Sequence, residues 1–237
     1  MTNKIKFIAQ DKYAEEVCPK PYPSSQALPK WWKNSTPYVI SEDNPEGKKI
    51  FVNNRISNTN FKKCTPMLDA LATGYIFPLW ADVQVRNEPI GKSLNWRVSK
   101  PVFNLHGEVD IEIPEGYSTL IFKYVNMWHI QTPPGYSILV THPLGYNNSA
   151  FRAIPAIIDT DKSQHSITVP MWVKEDFEGI VETGTPMFQV TPFKRDNWES
   201  EFDVYEEGRF DAIQDRNVFA TIVNNYVKNN WTKKSYK

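Results

Sequence analysis

The residues in this chain that could do chemistry are scattered. Four histidines, His106, His129, His142 and His165, could ligate a metal or move a proton. No two of them stand at the short spacings that place a ligand pair on one helix or hairpin, and no cysteine is near them in sequence. Each therefore reads as a surface or hydrogen-bonded sheet histidine. Asp159-Thr160-Asp161 opens like a calcium loop, but Gln164 stands where the sixth-position glycine belongs and Pro170 where the twelfth-position carboxylate belongs. That excludes the standard loop. There is no Gly-x-Ser-x-Gly elbow, and neither Cys18 nor Cys64 sits in a recognisable catalytic context. Ten glycines supply no phosphate-cradling spacing. No catalytic residue, metal ligand or cofactor is assigned.

Asp159 is what remains, at the end of the apolar run Ile157-Ile158. A carboxylate in apolar surroundings needs a partner. It either caps the turn that follows or points into a pocket, where it would hold a sugar hydroxyl or orient a water as general base. The adjacent Trp31 and Trp32 cannot share one narrow face. One reading puts one ring in a core and the other over a sheet edge; the other makes the pair a partner-binding anchor.

Strands must position these groups. Between residues 128 and 195, runs of four to eight β-branched and aromatic residues alternate with Pro, Gly and Asn, as short paired strands with tight turns do. Further strands are expected at residues 4–9, 75–85, 94–99, 108–113 and 119–125. Strict alternation from Val109 to Ile113 suits one buried and one wet face, as in an antiparallel sheet. A short helix ending in a left-handed cap is expected at residues 67–74, where Gly74 stops it. Pro19, Pro21, Pro23, Pro29 and Pro37 exclude a long helix or central strand from the first 60 residues, and Pro29 opens a helical turn carrying the two tryptophans.

Residues 196–215 hold eight acidic side chains and one arginine, whereas 216–237 hold five basic side chains and no acidic one. The acidic run reads as a solvated loop. Val218, Phe219, Ile222, Val223, Tyr226 and Val227 recur at helical spacing, which predicts an amphipathic helix packed against the sheet.

The composition is that of a folded protein, with 41% apolar and 23% charged residues. With 27 basic and 27 acidic residues, the balance argues against nucleic acid and anionic membranes as partners. No run approaches the length of a membrane span, no signal-peptide core follows Met1, and the cysteines are two and far apart. A cytoplasmic setting with reduced thiols is expected.

Residues 157–161, 167–173 and 177–190 resemble the β-clip pattern of trimeric dUTPases and dCTP deaminases: a buried strand ending in Asp, a return strand, then a hairpin and a final strand carrying a Gln. The stretch 132–140 is similar to the strand those enzymes enter through a Pro-Gly turn. The resemblance implies a nucleotide-type ligand and a trimer. The departures bear on activity: Lys162, Ser163 and Gln164 replace the base-stacking aromatic, residues 146–152 replace the phosphate motif, and residues 167–173 lack a catalytic Glu. Over its whole length the chain looks like a member of an uncharacterised family of tailed phages and bacteria, carried by residues 27–32, 63–70, 132–136 and 184–186. That implies a phage or prophage origin and an infected or lysogenic bacterial host.

The expected fold is all-β, a mostly antiparallel β-sandwich or β-clip, with a proline-rich N-terminal arm (1–60), a core (61–195) and an acidic connector with a C-terminal α-helix (196–237). The expected function is non-enzymatic binding of a nucleotide-like small molecule, a nucleotide or a host-derived signalling nucleotide, in a pocket around Tyr136, His142, Arg152 and Asp159. Arg152 would pair a phosphate and Asp159 a hydroxyl. The alternatives are a virion or assembly protein, in which Trp31, Trp32 and the acidic run touch neighbours, and a nucleotide-processing enzyme.

Overall fold

In the computed structural model, residues 3–52, 55–89, 91–107, 110–147, 150–163, 166–213 and 226–237 are described. The chain divides into two compact units. The first comprises Met1–Ala27, Thr73–Arg195 and Tyr236–Lys237; the second comprises Leu28–Ala72 and Asp196–Ser235. The first 27 residues, read from sequence with the proline-rich arm, thus supply strands to the first unit.

In chain order the strands begin with β1 (Lys6–Ala9), β2 (Tyr22–Pro23), β3 (Phe51–Val52), β4 (Arg55–Ile56), β5 (Tyr75–Pro78) and β6 (Val83–Glu88). They continue with β7 (Gly91–Asn95), β8 (Phe103–Gly107), β9 (Ile121–Val125), β10 (Trp128–Gln131) and β11 (Tyr136–Thr141). The last are β12 (Phe151–Ala153), β13 (Ala156–Ile158), β14 (Thr168–Val173), β15 (Gly179–Val181) and β16 (Pro186–Lys194). Short helices α1 (Lys12–Val17), α2 (Lys30–Asn34) and α3 (Thr65–Ala72) interrupt them.

The first unit is an antiparallel β-sandwich. One sheet runs β13-β11-β16-β5-β2 and the other β12-β14-β9-β8, flanked by the three-stranded β15-β6-β7 and the pair β1-β10. Alternation puts Ile138 and Val140 of β11, Phe188 and Val190 of β16, and Val169, Met171 and Val173 of β14 into the core, each at most 2% exposed. Aromatic rings fill the interior: Phe77 stacks on Phe188 at 4.6 Å, Phe103 on Phe151 at 4.8 Å, and Phe7 meets Tyr75 edge-on at 4.9 Å. Pro192 is tolerated in the long central strand because β5 pairs with β16 from Pro186 to Val190, while residues 191–194 pair in the ladder with β11.

Three expectations shift. The extended stretch 75–85 breaks into β5 and β6, and Trp80 in the break donates its indole N–H to the Val125 carbonyl at 2.9 Å. The strand expected over 94–99 lies earlier, at Gly91–Asn95, where β7 can pair with β6. The strand expected over 108–113 is absent from residues 110–113; β8 ends at Gly107, and Ile111 is 44% exposed ahead of the Pro114 turn. Residues 108 and 109 of that stretch lie outside the described residues.

The second unit holds α2, the β3–β4 hairpin and α3. Trp32 is buried while Trp31 stays 43% exposed, and Lys62 donates to the Trp32 carbonyl at 2.6 Å with its ammonium over the ring. Asp69 of α3 accepts from the Trp231 indole at 2.8 Å and from Lys234 at 2.6 Å. Residues 209–213 are helical and Tyr226–Asn230 form a π-helical turn. Val218, Phe219, Ile222 and Val223 of the expected amphipathic helix lie outside the described residues.

Candidate functional site

Sheet register brings three strand ends together. Ile138 pairs with Ile158, and Tyr136 with Lys194, so the start of β11 lies between the ends of β13 and β16. Arg195, one residue past β16, can then reach the Asp-Thr-Asp that follows β13. Its two guanidinium nitrogens grip both carboxylate oxygens of Asp161, one at 2.9 Å and the other in a shorter bond. Such a fork-to-fork pair is among the stronger protein hydrogen-bond arrangements. The Gly135 N–H donates to the same carboxylate at 2.9 Å. Arg195 also donates to the Ser137 hydroxyl at 2.9 Å and lies 3.2 Å from Asp159, while Ser137 donates to Asp159 at 2.6 Å. Beneath them the buried hydroxyls of Thr132 and Thr160 bond at 2.8 Å.

The charges of this network are paired with one another. The Asp161 side chain is 6% exposed and that of Arg195 31%, while Asp159, at 51%, stays open to solvent. The Arg195 hydrogen bond holds the Asp161 carboxyl down at about 2, with the Gly135 amide helping against the cost of burial. The Ser137 hydrogen bond, then Arg195, lowers that of Asp159 too. A general base works best with its pKa near the operating pH, so neither carboxylate is tuned for proton abstraction. Asp159 also caps the following turn through its carbonyl, which accepts from Lys162 and Ser163.

The four residues expected around a pocket fall in different places. Tyr136 enters the network through its carbonyl, which accepts from Thr132 and Arg195, while its hydroxyl accepts from Asn3 at 2.6 Å. His142, just past β11, donates Nε2–H to the Tyr146 carbonyl at 2.8 Å, which leaves Nδ1 unprotonated and buried without a partner. Burial lowers its pKa, and the Arg152 charge adds to the shift. Arg152 belongs to the other sheet, on β12, with its guanidinium carbon 5.9 Å from the Tyr117 ring centre and 5.8 Å from that of Trp172. The Trp172 indole N–H is buried without a partner.

Among the described residues, two clefts of the first unit stand out. One, of about 490 Å³, is lined by Tyr117, Lys174 and the acidic Glu115, Glu175 and Asp176. The other, of about 570 Å³, runs beside β1 and Trp128. None of the four expected pocket residues lines either cleft.

Sequence reasoning missed Arg195, Asp161 and Ser137 as partners of Asp159. It also missed Lys92, which is 6% exposed and donates to the carbonyls of Glu175 at 2.6 Å and Phe177 at 2.8 Å and to Asn87. Gln189, the strand glutamine, is a clamp: buried, it accepts from the Leu144 N–H and donates to the Thr73 carbonyl. Both cysteines are free, and burial pushes the Cys18 thiol up to about 11, which makes it unreactive.

Among the described residues, no group of three or more His, Cys, Asp or Glu could hold a metal, and no helix is long and apolar enough to cross a membrane. His165 lies outside them. Comparison with protein-family models, curated proteins and solved structures returns no match. A functional reading must therefore rest on the chain's own surfaces.

Proposed function

We propose that this chain is a structural or assembly protein of a tailed phage or prophage that works through contacts with other proteins. The observation that carries the reading is the acidic run, in which Trp198 is 88% exposed, Phe202 94% and Val204 86%. Scattered exposed apolar residues need no explanation, but concentrated ones mark contact surfaces. The same unit also exposes Trp31, Phe51, Val52 and Phe61. The paired Asp159–Asp161–Arg195 network fits a scaffold better than a reactive centre, since its charges are spent on one another. The phage setting rests on the sequence resemblance. Quantitative mass spectrometry of purified particles from the encoding phage tests it: tens of copies per particle are expected, and absence from particles overturns the assignment.

A second reading, binding of a nucleotide-type small molecule, is favoured by Arg152. An arginine against two aromatic rings, beside a cleft lined by one of them and Lys174, offers charge for a phosphate and a face for a base. Calorimetric titration with nucleoside phosphates discriminates. Binding that disappears in Arg152→Ala supports it; no heat with any of them rejects it.

A further inference from the structure

We infer that residues 197–205 act as a β-strand that adds to the free edge of β1 in a second copy of this chain. The inference rests on the protein-contact reading and names the partner and the mode. Along an extended chain, side chains alternate between two faces. Trp198, Ser200, Phe202 and Val204 then share one face, while Glu199, Glu201 and Asp203 share the other. That is the pattern of a half-buried strand, yet this segment has no regular structure and its apolar face is in solvent. Among the described residues, no hydrogen bond ties the backbone of 197–203 to another element, while the Arg195 N–H before it donates to the Gly135 carbonyl. The segment has a strand's side-chain order and, apart from the Val204 N–H, which donates to the Asp203 carboxylate at 2.7 Å, its backbone groups bond to no other element among the described residues; a lone strand gains stability only by joining a sheet.

Charge and length narrow the choice of edge. Residues 196–207 carry six carboxylates and no cation. β15 is an unsuitable acceptor because Glu175, Asp176, Glu178 and Glu182 flank it in sequence, as Glu108 and Asp110 follow β8. β2 and β13 offer two and three residues, β2 with a proline. Among the described residues, β1 pairs only with β10. The Gln10 N–H reaches the Met127 carbonyl at 3.1 Å, and the register continues that bonding through Ile8 and Lys6. In an antiparallel ladder the alternate residues, Phe7 and Ala9, then turn their N–H and C=O groups to the open side.

The side chains there are complementary to the acidic segment. Lys4 and Lys6 are exposed, Ile8 is 46% exposed, and Lys20 stands across the cleft of about 570 Å³ that borders Phe7–Ala9, Pro21 and Trp128. Of the two carboxylates at that rim, Asp11 and Glu15, the first is neutralised by Lys100. A cleft of this size is large enough for an aromatic anchor. In strand addition, main-chain bonds supply affinity and alternate side chains supply selectivity: Phe202 or Trp198 would enter the cleft while Glu199 and Glu201 face the lysines. Two copies can exchange segments reciprocally, giving a closed twofold dimer.

The test is sedimentation equilibrium of the full chain over a wide concentration range, with two sets of variants. Trp198→Ser with Phe202→Ser removes the strand's anchors at exposed positions. Lys6→Glu with Ile8→Glu places like charge on the receiving edge. A wild-type dimer is expected, with each double variant dissociating at least about thirtyfold more readily, the size of a lost hot spot, and with unchanged thermal unfolding. Mixing the two variants should restore a heterodimer, because one has an intact edge and the other an intact strand. A wild-type chain monomeric throughout, or a dimer indifferent to both sets, overturns the inference. Such a chain found at tens of copies in purified particles would leave the assembly reading standing; absence from particles would remove that reading whatever the sedimentation shows.

Discussion

Asp161 carries much of the network's dependence on pH. Its carboxyl titrates at about 2 in the folded chain against an ordinary 3.8, because Arg195 and the Gly135 amide favour its charged form. The unfolded chain therefore binds more protons as acid is added, and the stabilisation is complete above the ordinary value and lost as pH falls toward 2. Asp159, lowered for related reasons, works in the same direction. Asp161→Asn should unfold at a lower temperature than the wild type at neutral pH. Its melting temperature should also fall less steeply between pH 4 and pH 2, followed by circular dichroism. Parallel curves for the two proteins would show that the pair with Arg195 does not set the acid sensitivity. Arg195→Lys should fall between them at neutral pH, since an ammonium keeps the charge but loses the planar two-bond grip.

Elements in this chain are joined by single residues whose importance varies in how far sequence reveals it. Gly74 was readable as a left-handed stop, and its φ is +66°. What sequence could not show is that a Cβ there would meet the Val190 carbonyl oxygen of β16 at 1.9 Å, a clash with backbone that cannot swing aside. Gly184 also has positive φ, +90°, but nothing lies within 4 Å of its virtual Cβ. Gly184→Ala should therefore lose only the conformational strain, about 1–2 kcal/mol, while Gly74→Ala should lose clearly more in urea unfolding. Equal losses would reject the close approach. Lys92 was not legible at all, because its acceptors sit 83 and 85 residues away and are carbonyls, which no side-chain pattern encodes. Lys92→Met should lose these charge-assisted hydrogen bonds, at about 1.5–3 kcal/mol in the same assay. The strands from 128 to 195 were legible because alternation and turn residues agree there. The 108–113 strand misled because alternation states what a strand would bury, not whether a sheet is there to receive it. Asp159 was found from its place at a strand end, but its partner Arg195 follows only from the register that aligns β13, β11 and β16.

At the scale of the whole molecule, the chain concentrates its exposed aromatic surface where it has least regular structure. Seven of its eight tryptophans are at most about half as exposed as Trp198, with Trp31 next at 43% and Trp32, Trp80 and Trp128 buried. Trp198 is thus the residue a neutral quencher such as acrylamide should reach first, and Trp198→Phe should remove the most quenchable part of the fluorescence. A solvated loop and a docking strand differ in what happens next. If residues 197–205 only float in solvent, quenching of the wild type is the same at every protein concentration. If they dock on another copy, the quenchable part shrinks as concentration rises, and it returns in Lys6→Glu with Ile8→Glu, whose own Trp198 is untouched. High salt should return part of it as well, because six carboxylates facing lysines are attracted mainly through screened surface charge. Quenching that ignores concentration, salt and the edge substitutions alike would make the acidic run a solvated loop after all, and would leave its three exposed apolar anchors for a different protein.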